Sequence, residues 1–383
     1  MSYLQATMIL ALLATGLGAA LLGSVKVHLA ARLRIDEARI GGLVSLFGFT
    51  LVPVIFTAGF LTDLVGRQVV LVGGSLLLAA SLGLLAVARS YVAALVAVIV
   101  LSAGWALVIN VGNVLTPLAF GGNSLAYATN LANVFFGLGA FLTPLAAAVL
   151  IRRLGFPPAL YVLAAFCLLP GLLALSIDSS SLASAASAGA GEIASADPAA
   201  LFRDPFLWLC GFALFFYGPL EASVGAWATT YLGEQGYREP AAAGLLSAFW
   251  LTFMAARLIT AFWLPADCEH LLIVALSIAC IAVLSGMVFG RGRAAGAIMV
   301  VAAGAVFGPI FPTLVAIFLG HFAAELHGRA VGMLFAIGGI GWAVIPMLIG
   351  TAARRQGVRR GFSVAIAAAV GLTAVTSAIG MMK

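Results

Sequence analysis

Long apolar stretches separated by short polar segments follow one another along nearly the whole chain. Most contain about 20 or more apolar residues, the length that an α-helix needs to cross the hydrocarbon core of a bilayer. Glycine, proline, arginine or aspartate residues mark their boundaries. The pattern predicts an all-α membrane protein with twelve transmembrane helices. We place these helices near residues 6–30, 39–62, 69–88, 92–117, 126–151, 157–176, 205–232, 241–263, 270–289, 295–320, 329–351 and 361–381.

One polar segment is much longer than the others. Residues 178–204 are rich in serine, alanine and glycine, carry acidic residues and lack an apolar core. Such a composition is typical of a flexible linker. It predicts an N-terminal six-helix bundle over residues 1–177, a flexible linker over residues 178–204, and a C-terminal six-helix bundle over residues 205–383.

The two halves repeat a pattern of small residues and prolines in the fifth and eleventh predicted helices. Small residues allow helices to approach closely, and a proline introduces a bend that can flex. Pro144 and Pro346 are therefore candidate conformational residues. Matches at a constant offset predict two pseudo-symmetric bundles that arose by duplication. The pairs, each 202 positions apart, are Gly137 and Gly339, Gly139 and Gly341, Pro144 and Pro346, Arg152 and Arg354, and Arg153 and Arg355.

Composition supports the membrane prediction. The 383 residues are 63% hydrophobic and only 8% charged, whereas soluble proteins contain about 25% charged residues. So few charges exclude a soluble enzyme, a nucleic-acid-binding protein and a disordered chain. We interpret the net charge of +6 as arginines that flank membrane spans. The four cysteines lack metal-ligand spacing, so we predict no metal site and no disulfide bond. The chain has no ATP-binding motif, and we predict no cofactor and no enzymatic site.

The segment GFLTDLVGRQ, at the end of the second predicted helix, resembles the signature G-x-L-x-D-x-x-G-R-[KR] of the major facilitator superfamily. Gly59, Asp63, Gly66 and Arg67 match it, and Gln68 replaces the usual basic residue. The resemblance implies that these four residues act in gating. Asp63 suits a helix terminus that needs a hydrogen-bond acceptor, and Arg67 offers donors to neighbouring helix ends.

Several spans are also similar to those of the fucose/glucose–proton symporter branch of this superfamily, among them NLANVFFGLGAFLTPL and VFGPIFPTLVAIF. On this resemblance Asn133 takes the place of a sugar-contacting residue, whereas Phe136 stands where the branch has another polar contact. The branch couples protons through acids in its first and fourth spans. Here the first span has no acid, and Ile109, beside Asn110, occupies the matching position in the fourth.

Glu221 is the clearest ionisable residue within a predicted span. It lies in the middle of the seventh apolar run, with no basic residue nearby in sequence. Tyr217 and Gly225 share its helical face. Because an ionisable residue inside a membrane is expensive, it indicates function. We predict that Glu221 couples protons and contacts substrate together with Tyr217. The alternative is a protonated glutamate that holds two helices together by a hydrogen bond.

Asparagines form two pairs with helical spacing. Asn110 and Asn113 lie three residues apart in the fourth span, and Asn130 and Asn133 do the same in the fifth. Each pair projects from one helical face. Amides offer both donors and acceptors, which suits sugars and other neutral polar solutes. Asn110, Asn113 and Asn133 are therefore candidate substrate-binding residues, with interhelical hydrogen bonding as the alternative.

Other candidate residues are a lysine, an arginine and three tryptophans. Lys26 ends the apolar part of the first span, where it either extends to the interface or lines the cavity and attracts an anion. Arg257 lies in ARLITAF, which resembles a weaker second copy of the signature, and is a candidate gating residue. Trp227, Trp250 and Trp342 have small neighbours in sequence. Such rings stack on sugars or pack in the core.

The resemblance to the superfamily implies that both termini, the signature loop and the linker of residues 178–204 are cytoplasmic. Together these observations predict a monomeric secondary transporter in the lipid bilayer, of the bacterial inner (plasma) membrane. Its substrate would be a small-molecule polar solute, sugar-like or an organic anion, that binds between the bundles and crosses by alternating access with protons as the coupling partner. One alternative is an exporter of amphipathic drugs or lipids. Another is a transport-inactive receptor or assembly factor. No nucleic-acid partner is expected.

This orientation conflicts with the distribution of basic residues. The positive-inside rule expects arginines and lysines at the cytoplasmic ends of spans. With cytoplasmic termini, only Arg67, Arg203, Arg257, Arg329 and Lys383 fall on that side. The residues assigned to the outer side are Arg32, Arg34, Arg39, Arg89, Arg152, Arg153, Arg238, Arg291, Arg293, Arg354, Arg355, Arg359 and Arg360.

Overall fold

Helices account for all the regular secondary structure in residues 2–121, 124–177 and 198–382, which the computed structural model describes. Within these ranges, twelve helical segments are long and apolar enough to cross a membrane, which confirms the all-α prediction. The tenth segment is built from two helices, α10 and α11. The helices are α1 (Tyr3–Leu33), α2 (Glu37–Val65), α3 (Arg67–Val87), α4 (Tyr91–Ala119), α5 (Leu125–Leu154), α6 (Phe156–Ala174), α7 (Pro205–Glu234), α8 (Glu239–Trp263), α9 (Glu269–Phe289), α10 (Arg293–Phe307), α11 (Ile310–His321), α12 (His327–Gln356) and α13 (Ser363–Met381).

Three short helical elements connect these spans: Pro198–Arg203, the 3₁₀ turn Ala324–Leu326, and Val358–Gly361. Most of the predicted linker, residues 178–197, lies outside the described residues. Its last part is helical, and Asp204 then caps α7 by accepting a hydrogen bond from the backbone N–H of Phe206 at 2.8 Å.

The chain packs into two units. The first consists of the described parts of Met1–Gly121, Ala132–Ala196 and Phe322–Met333, and the second of those of Gly122–Leu131, Asp197–His321 and Leu334–Lys383. Both units therefore contain residues from the other half of the sequence. The start of α5 packs with the second unit, and the start of α12 packs with the first.

Helix pairing is the same within each unit. In the first unit α3 packs on α4 and α6, α2 packs on α4, and α1 packs on α4 and α6. In the second unit α9 packs on α10 and α13, α8 packs on α10, and α7 packs on α10 and α13. Corresponding helices therefore pack on each other in the two units, as duplication of one bundle predicts.

Matched glycines reproduce the same close contacts in both units. A Cβ atom on Gly139 would overlap the backbone of Leu13, and one on Gly341 would overlap the backbone of Phe215. Both members of the second pair lie 202 positions after those of the first. Only glycine permits this separation between α1 and α5 and between α7 and α12. The repeat that the sequence predicts is therefore a repeat of packing geometry.

Large apolar side chains remain exposed on these helices. Leu64, Trp263 and Phe289 expose 75%, 73% and 72% of their surface. Many large apolar side chains are exposed in this way, and extensive exposed apolar surface is rare on soluble proteins. It suits helices that face lipid chains, and it agrees with the twelve apolar spans.

Replacing Gly341 by alanine tests the packing repeat. The added methyl group would meet the backbone of Phe215, and we expect a loss of about 1–3 kcal/mol of stability. This would appear as a lower midpoint of thermal unfolding in detergent. Gly83→Ala in α3 is the control, because no atom lies within 4 Å of the added methyl group. Equal midpoints for the two variants would contradict the close contact.

Candidate functional site

The tenth span is interrupted where the sequence reads FGPIFP. Helix α10 ends at Phe307 and α11 begins at Ile310. Proline has no backbone N–H, so Pro309 cannot pair with the carbonyl of Ala305, and Pro312 cannot pair with that of Gly308. Carbonyls that lose a helical partner in an apolar interior need another donor. Polar side chains within the bundle are therefore needed to donate hydrogen bonds to carbonyls at the break.

Two side chains from neighbouring helices donate to carbonyls at this break. The Tyr217 hydroxyl of α7 donates to the carbonyl of Phe307 at 2.9 Å. The Arg257 Nε of α8 donates to the carbonyl of Gly308 at 2.8 Å. Both side chains are nearly inaccessible, at 1% and 2% exposure. Arg257 also lies 4.1 Å from the ring centroid of Phe253, a cation–π contact.

Glu221 joins these two residues. Its Oε2 accepts a hydrogen bond from the Tyr217 hydroxyl at 2.9 Å, and Arg257 interacts electrostatically with both Glu221 and Tyr217. We call Tyr217, Glu221 and Arg257 the polar cluster. Although no basic residue is near Glu221 in sequence, the fold places a cation beside it. The cluster can bind or release a proton next to a counter-ion and a phenol.

The three tryptophans all lie in the second unit and are half-buried. Each one faces a glycine of another helix: Trp342 packs on Gly218, Trp250 on Gly225, and Trp227 on Gly350. The space for each ring thus comes from a glycine across a helix interface. Trp342 contacts α7 directly next to the polar cluster, because Gly218 follows Tyr217.

In the first unit, Asp63 of α2 caps the start of α12. Its carboxylate accepts hydrogen bonds from the backbone N–H groups of Gly328 and Arg329, at 3.1 and 2.9 Å, and from Arg329 Nε at 3.1 Å. A carboxylate at a helix N-terminus is favoured by unpaired N–H groups and by the helix dipole. Arg67 donates to the carbonyl of Ala324 at 2.9 Å.

The signature glycines have separate roles at this contact. Gly59 allows α2 and α12 to cross closely, since an added Cβ atom would lie 2.5 Å from the carbonyl oxygen of Gly328 and 3.0 Å from the Cα atom of Gly332. Gly66 joins α2 to α3 with a φ of +94°, a conformation that L-residues rarely adopt.

Asn110 belongs to the same contact. Its Oδ1 accepts a hydrogen bond from Thr62 at 2.9 Å, and its Nδ2 donates to the carbonyl of Gly328 at 3.1 Å. Asn113 is buried on α4 and donates to the carbonyl of Ile109 at 2.8 Å. The two members of this pair therefore serve different contacts.

The other asparagine pair divides between the units. Asn130 is buried in the second unit and donates to Thr313 Oγ1 at 3.1 Å. Asn133 is 7% exposed in the first unit.

Lys26 is exposed on α1. Pro144 and Pro346 lie within α5 and α12, as predicted.

Some residues of these sites have no clear signal in the sequence. Thr62, Arg329 and the carbonyl of Phe307 become relevant only through tertiary contacts. The motif GPxxP does indicate a helix break and could have located the polar cluster. Among the described residues, no group of three or more His, Cys, Asp or Glu side chains is placed to hold a metal ion.

The twelve spans and the two repeated units define a transporter-like membrane fold. The sequence matches the Major Facilitator Superfamily over residues 8–346. The chain belongs to this superfamily, and secondary transport is the activity of its class.

Several solved structures share the fold of this chain. The fucose:proton symporter of E. coli has a TM-score of 0.80 and 16% identity over 99% of both chains. The human organic anion transporter MFSD10 has a TM-score of 0.74 and 16% identity over 98% of this chain and 99% of that chain. The proton:xylose symporter XylE has a TM-score of 0.77 and 12% identity over 99% of this chain and 95% of that chain. These likenesses confirm the fold.

One similarity in sequence is closer but partial. The protein is 27% identical to Bypass of stop codon protein 6 of Saccharomyces cerevisiae over 170 residues. The matched region spans 42% of this chain and 34% of the yeast protein.

Asp63→Asn tests the cap on α12. The variant removes the negative charge. It also replaces one carboxylate oxygen by an NH₂ group, which cannot accept the hydrogen bonds that Gly328 and Arg329 donate. We expect the first turns of α12 to be destabilised by about 1–3 kcal/mol, because hydrogen bonds to charged groups are among the stronger ones. Hydrogen exchange of residues 327–333 should accelerate. Asp36→Asn is the control: Asp36 caps α2 through the N–H of Arg39, and asparagine is an equally good cap. Unchanged exchange in Asp63→Asn would contradict the assignment.

Proposed function

We propose that this protein moves a small polar solute, sugar-like or an organic anion, by alternating access, with proton coupling through Glu221. The observation that carries the proposal is the polar cluster. A half-buried carboxyl group lies in a membrane-spanning helix, bonded to Tyr217 and close to Arg257. Ionisable residues inside a membrane are typical of proton relays and substrate pathways.

The chemistry of the cluster supports a proton carrier. Arg257 remains charged because the guanidinium group does not lose its proton in proteins. Glu221 can be neutral or negative, so the net charge of the cluster alternates between +1 and zero. A change in charge at one site within the membrane-spanning helices is what a proton-driven carrier requires. This relay differs from that of the fucose branch, since its acids in the first and fourth spans have no equivalents here.

The neutral amides and the buried guanidinium of Arg257 support this substrate class. We propose Asn113 and Asn133 of the first unit, and Glu221, Tyr217 and Trp342 of the second, as substrate contacts. Amides and phenols suit hydroxyl-rich solutes, while Arg257 would favour a carboxylate. The structural neighbours include a fucose:proton symporter, a proton:xylose symporter and an organic anion transporter, which supports sugars and organic anions as the first solutes to test.

We propose that the contact of α2 and α4 with the start of α12 is a gate. Asp63, Arg67 and Asn110 all bond to residues 324–329. This assigns Asn110 to gating, although the sequence also allows a substrate contact. Pro144 and Pro346 would provide the flexible points in α5 and α12.

Glu221→Gln tests the proton coupling. In proteoliposomes, wild-type protein should accumulate one solute of a test panel against its concentration gradient when a proton gradient is applied. Glutamine cannot release a proton, so the variant should only equilibrate this solute while it retains exchange of labelled for unlabelled solute. The panel begins with fucose, xylose and small carboxylates and includes a lipophilic dye.

Glu239→Gln is the matched control, because Glu239 is an exposed acid in the first turn of α8. It should transport as the wild type does. Uphill accumulation by Glu221→Gln would rule out the proton-carrier role. Displacement of the dye without proton movement would favour an exporter of amphipaths, and inertness toward every probe would favour a receptor or assembly factor.

We further propose that both termini are cytoplasmic and that the protein is a monomer of the bacterial inner membrane. The orientation rests on the signature loop between α2 and α3, which is cytoplasmic in the superfamily it resembles. It opposes the expectation from the arginine distribution.

Labelling with a membrane-impermeant maleimide tests this orientation in intact cells. In a Cys268→Ser background the remaining cysteines are buried. Ser90→Cys, between α3 and α4, should react from outside, and Ser176→Cys, after α6, should not; both positions are exposed. The opposite pattern would reverse the proposed topology.

A further inference from the structure

We infer that the Tyr217 hydroxyl is a relay that couples the protonation state of Glu221 to the helix break between α10 and α11. This rests on the proposed proton-carrier role of Glu221. The hydroxyl lies 2.9 Å from Glu221 Oε2 and 2.9 Å from the carbonyl oxygen of Phe307. A phenol has one hydrogen, so Tyr217 donates to only one of these acceptors at a time.

Protonation of Glu221 satisfies both contacts. The carboxyl O–H then donates to the Tyr217 oxygen, and the Tyr217 hydrogen is available to the carbonyl of Phe307. Both acceptors, the Tyr217 oxygen and the carbonyl oxygen of Phe307, then have a donor. The end of α10 is therefore held to α7 when the proton is bound.

Release of the proton reverses this arrangement. The carboxylate is the stronger acceptor and takes the Tyr217 hydrogen, while the released proton leaves the cluster. The carbonyl of Phe307 then loses its donor, and a buried unpaired carbonyl is costly. The break is weakened, so the tenth span becomes easier to deform in the state that has delivered its proton.

The other charged and titratable groups around the cluster support this direction. Arg257 from α8 donates to the carbonyl of Gly308 and is attracted more strongly to a carboxylate than to a neutral carboxyl group. Cys280 of α9 is the remaining titratable neighbour of Tyr217. Helix α13 has none, and those of α10 and α11 stand at the far helix ends, at Arg293 and His321.

The test measures both ends of the relay in full-length protein in lipid nanodiscs across a pH series. The infrared carboxyl band that disappears in Glu221→Gln reports the protonation of Glu221. Hydrogen exchange of the amides of Ile310, Phe311 and Thr313, corrected for the intrinsic effect of pH, reports the helix break. In the wild type, protection should fall roughly two- to tenfold as the band titrates, the range that one neutral hydrogen bond contributes.

Tyr217→Phe should retain the titration of the carboxyl band and lose the pH-dependent change in exchange. Tyr231→Phe is the matched control. Tyr231 lies on the same helix, is 1% exposed and donates to the carbonyl of Met287 at 2.8 Å, but its hydroxyl makes no bond to an acid. This variant should respond to pH as the wild type does.

The outcomes separate the relay from the function on which it rests. If hydrogen exchange in Tyr217→Phe changes with pH as it does in the wild type while Glu221 still titrates, the relay is wrong. The proposed proton-carrier role of Glu221 is then unaffected. A Glu221 band that does not titrate would overturn both. Glu221→Gln provides a second test if Tyr217→Phe does not fold, because its exchange should be constant over the pH series; a wild-type pH response there would exclude the relay.

Discussion

The interruption of the tenth span sets the chemistry of the second unit. Two prolines remove backbone donors within an apolar bundle, and hydrocarbon offers no water to replace them. Tyr217 and Arg257 supply hydrogen bonds at the break. A buried guanidinium then requires a balancing acid nearby, and Glu221 is placed to provide it. A constraint on the backbone thus accounts for ionisable groups inside an otherwise apolar bundle.

The two repeats place a side-chain-to-backbone hydrogen bond at matching positions, but the donor and acceptor helices are exchanged. In the first unit Trp105 Nε1 of α4 donates to the carbonyl of Thr15 on α1 at 2.9 Å. The positions 202 residues later are Phe307 and Tyr217, where the side chain of α7 donates to the carbonyl of α10. Ala19 stands at the position matching Glu221. The scaffold is shared, and the acid is confined to one copy.

Sequence patterns predict the helices, the repeat and the superfamily signature because these depend on composition and local spacing. They locate Glu221 as well, since an acid in an apolar run is visible without a structure. The proximity of Arg257 to Glu221 was not predictable, because Arg257 lies 36 positions later in the sequence and on the next helix. Nor was the bond from Asn110 to Gly328, which joins residues 218 positions apart. Helical spacing identifies a shared face, but it does not identify the helix opposite that face.

The arginine distribution has a structural cause besides topology. Arg32 lies in the last turn of α1, Arg152 and Arg153 in that of α5, and Arg354 and Arg355 in that of α12, where cations interact favourably with the helix dipole. Two arginines donate to carbonyls at helix ends: Arg32 bonds to Ala88 after α3, and Arg359 bonds to Val288 and Gly290 at the end of α9. Since Ala88 and Gly290 are also 202 positions apart, the same helix end receives an arginine in both repeats. Arginines fixed by such contacts reflect the bundle's own packing, so their number is a weaker guide to orientation than the positive-inside rule assumes.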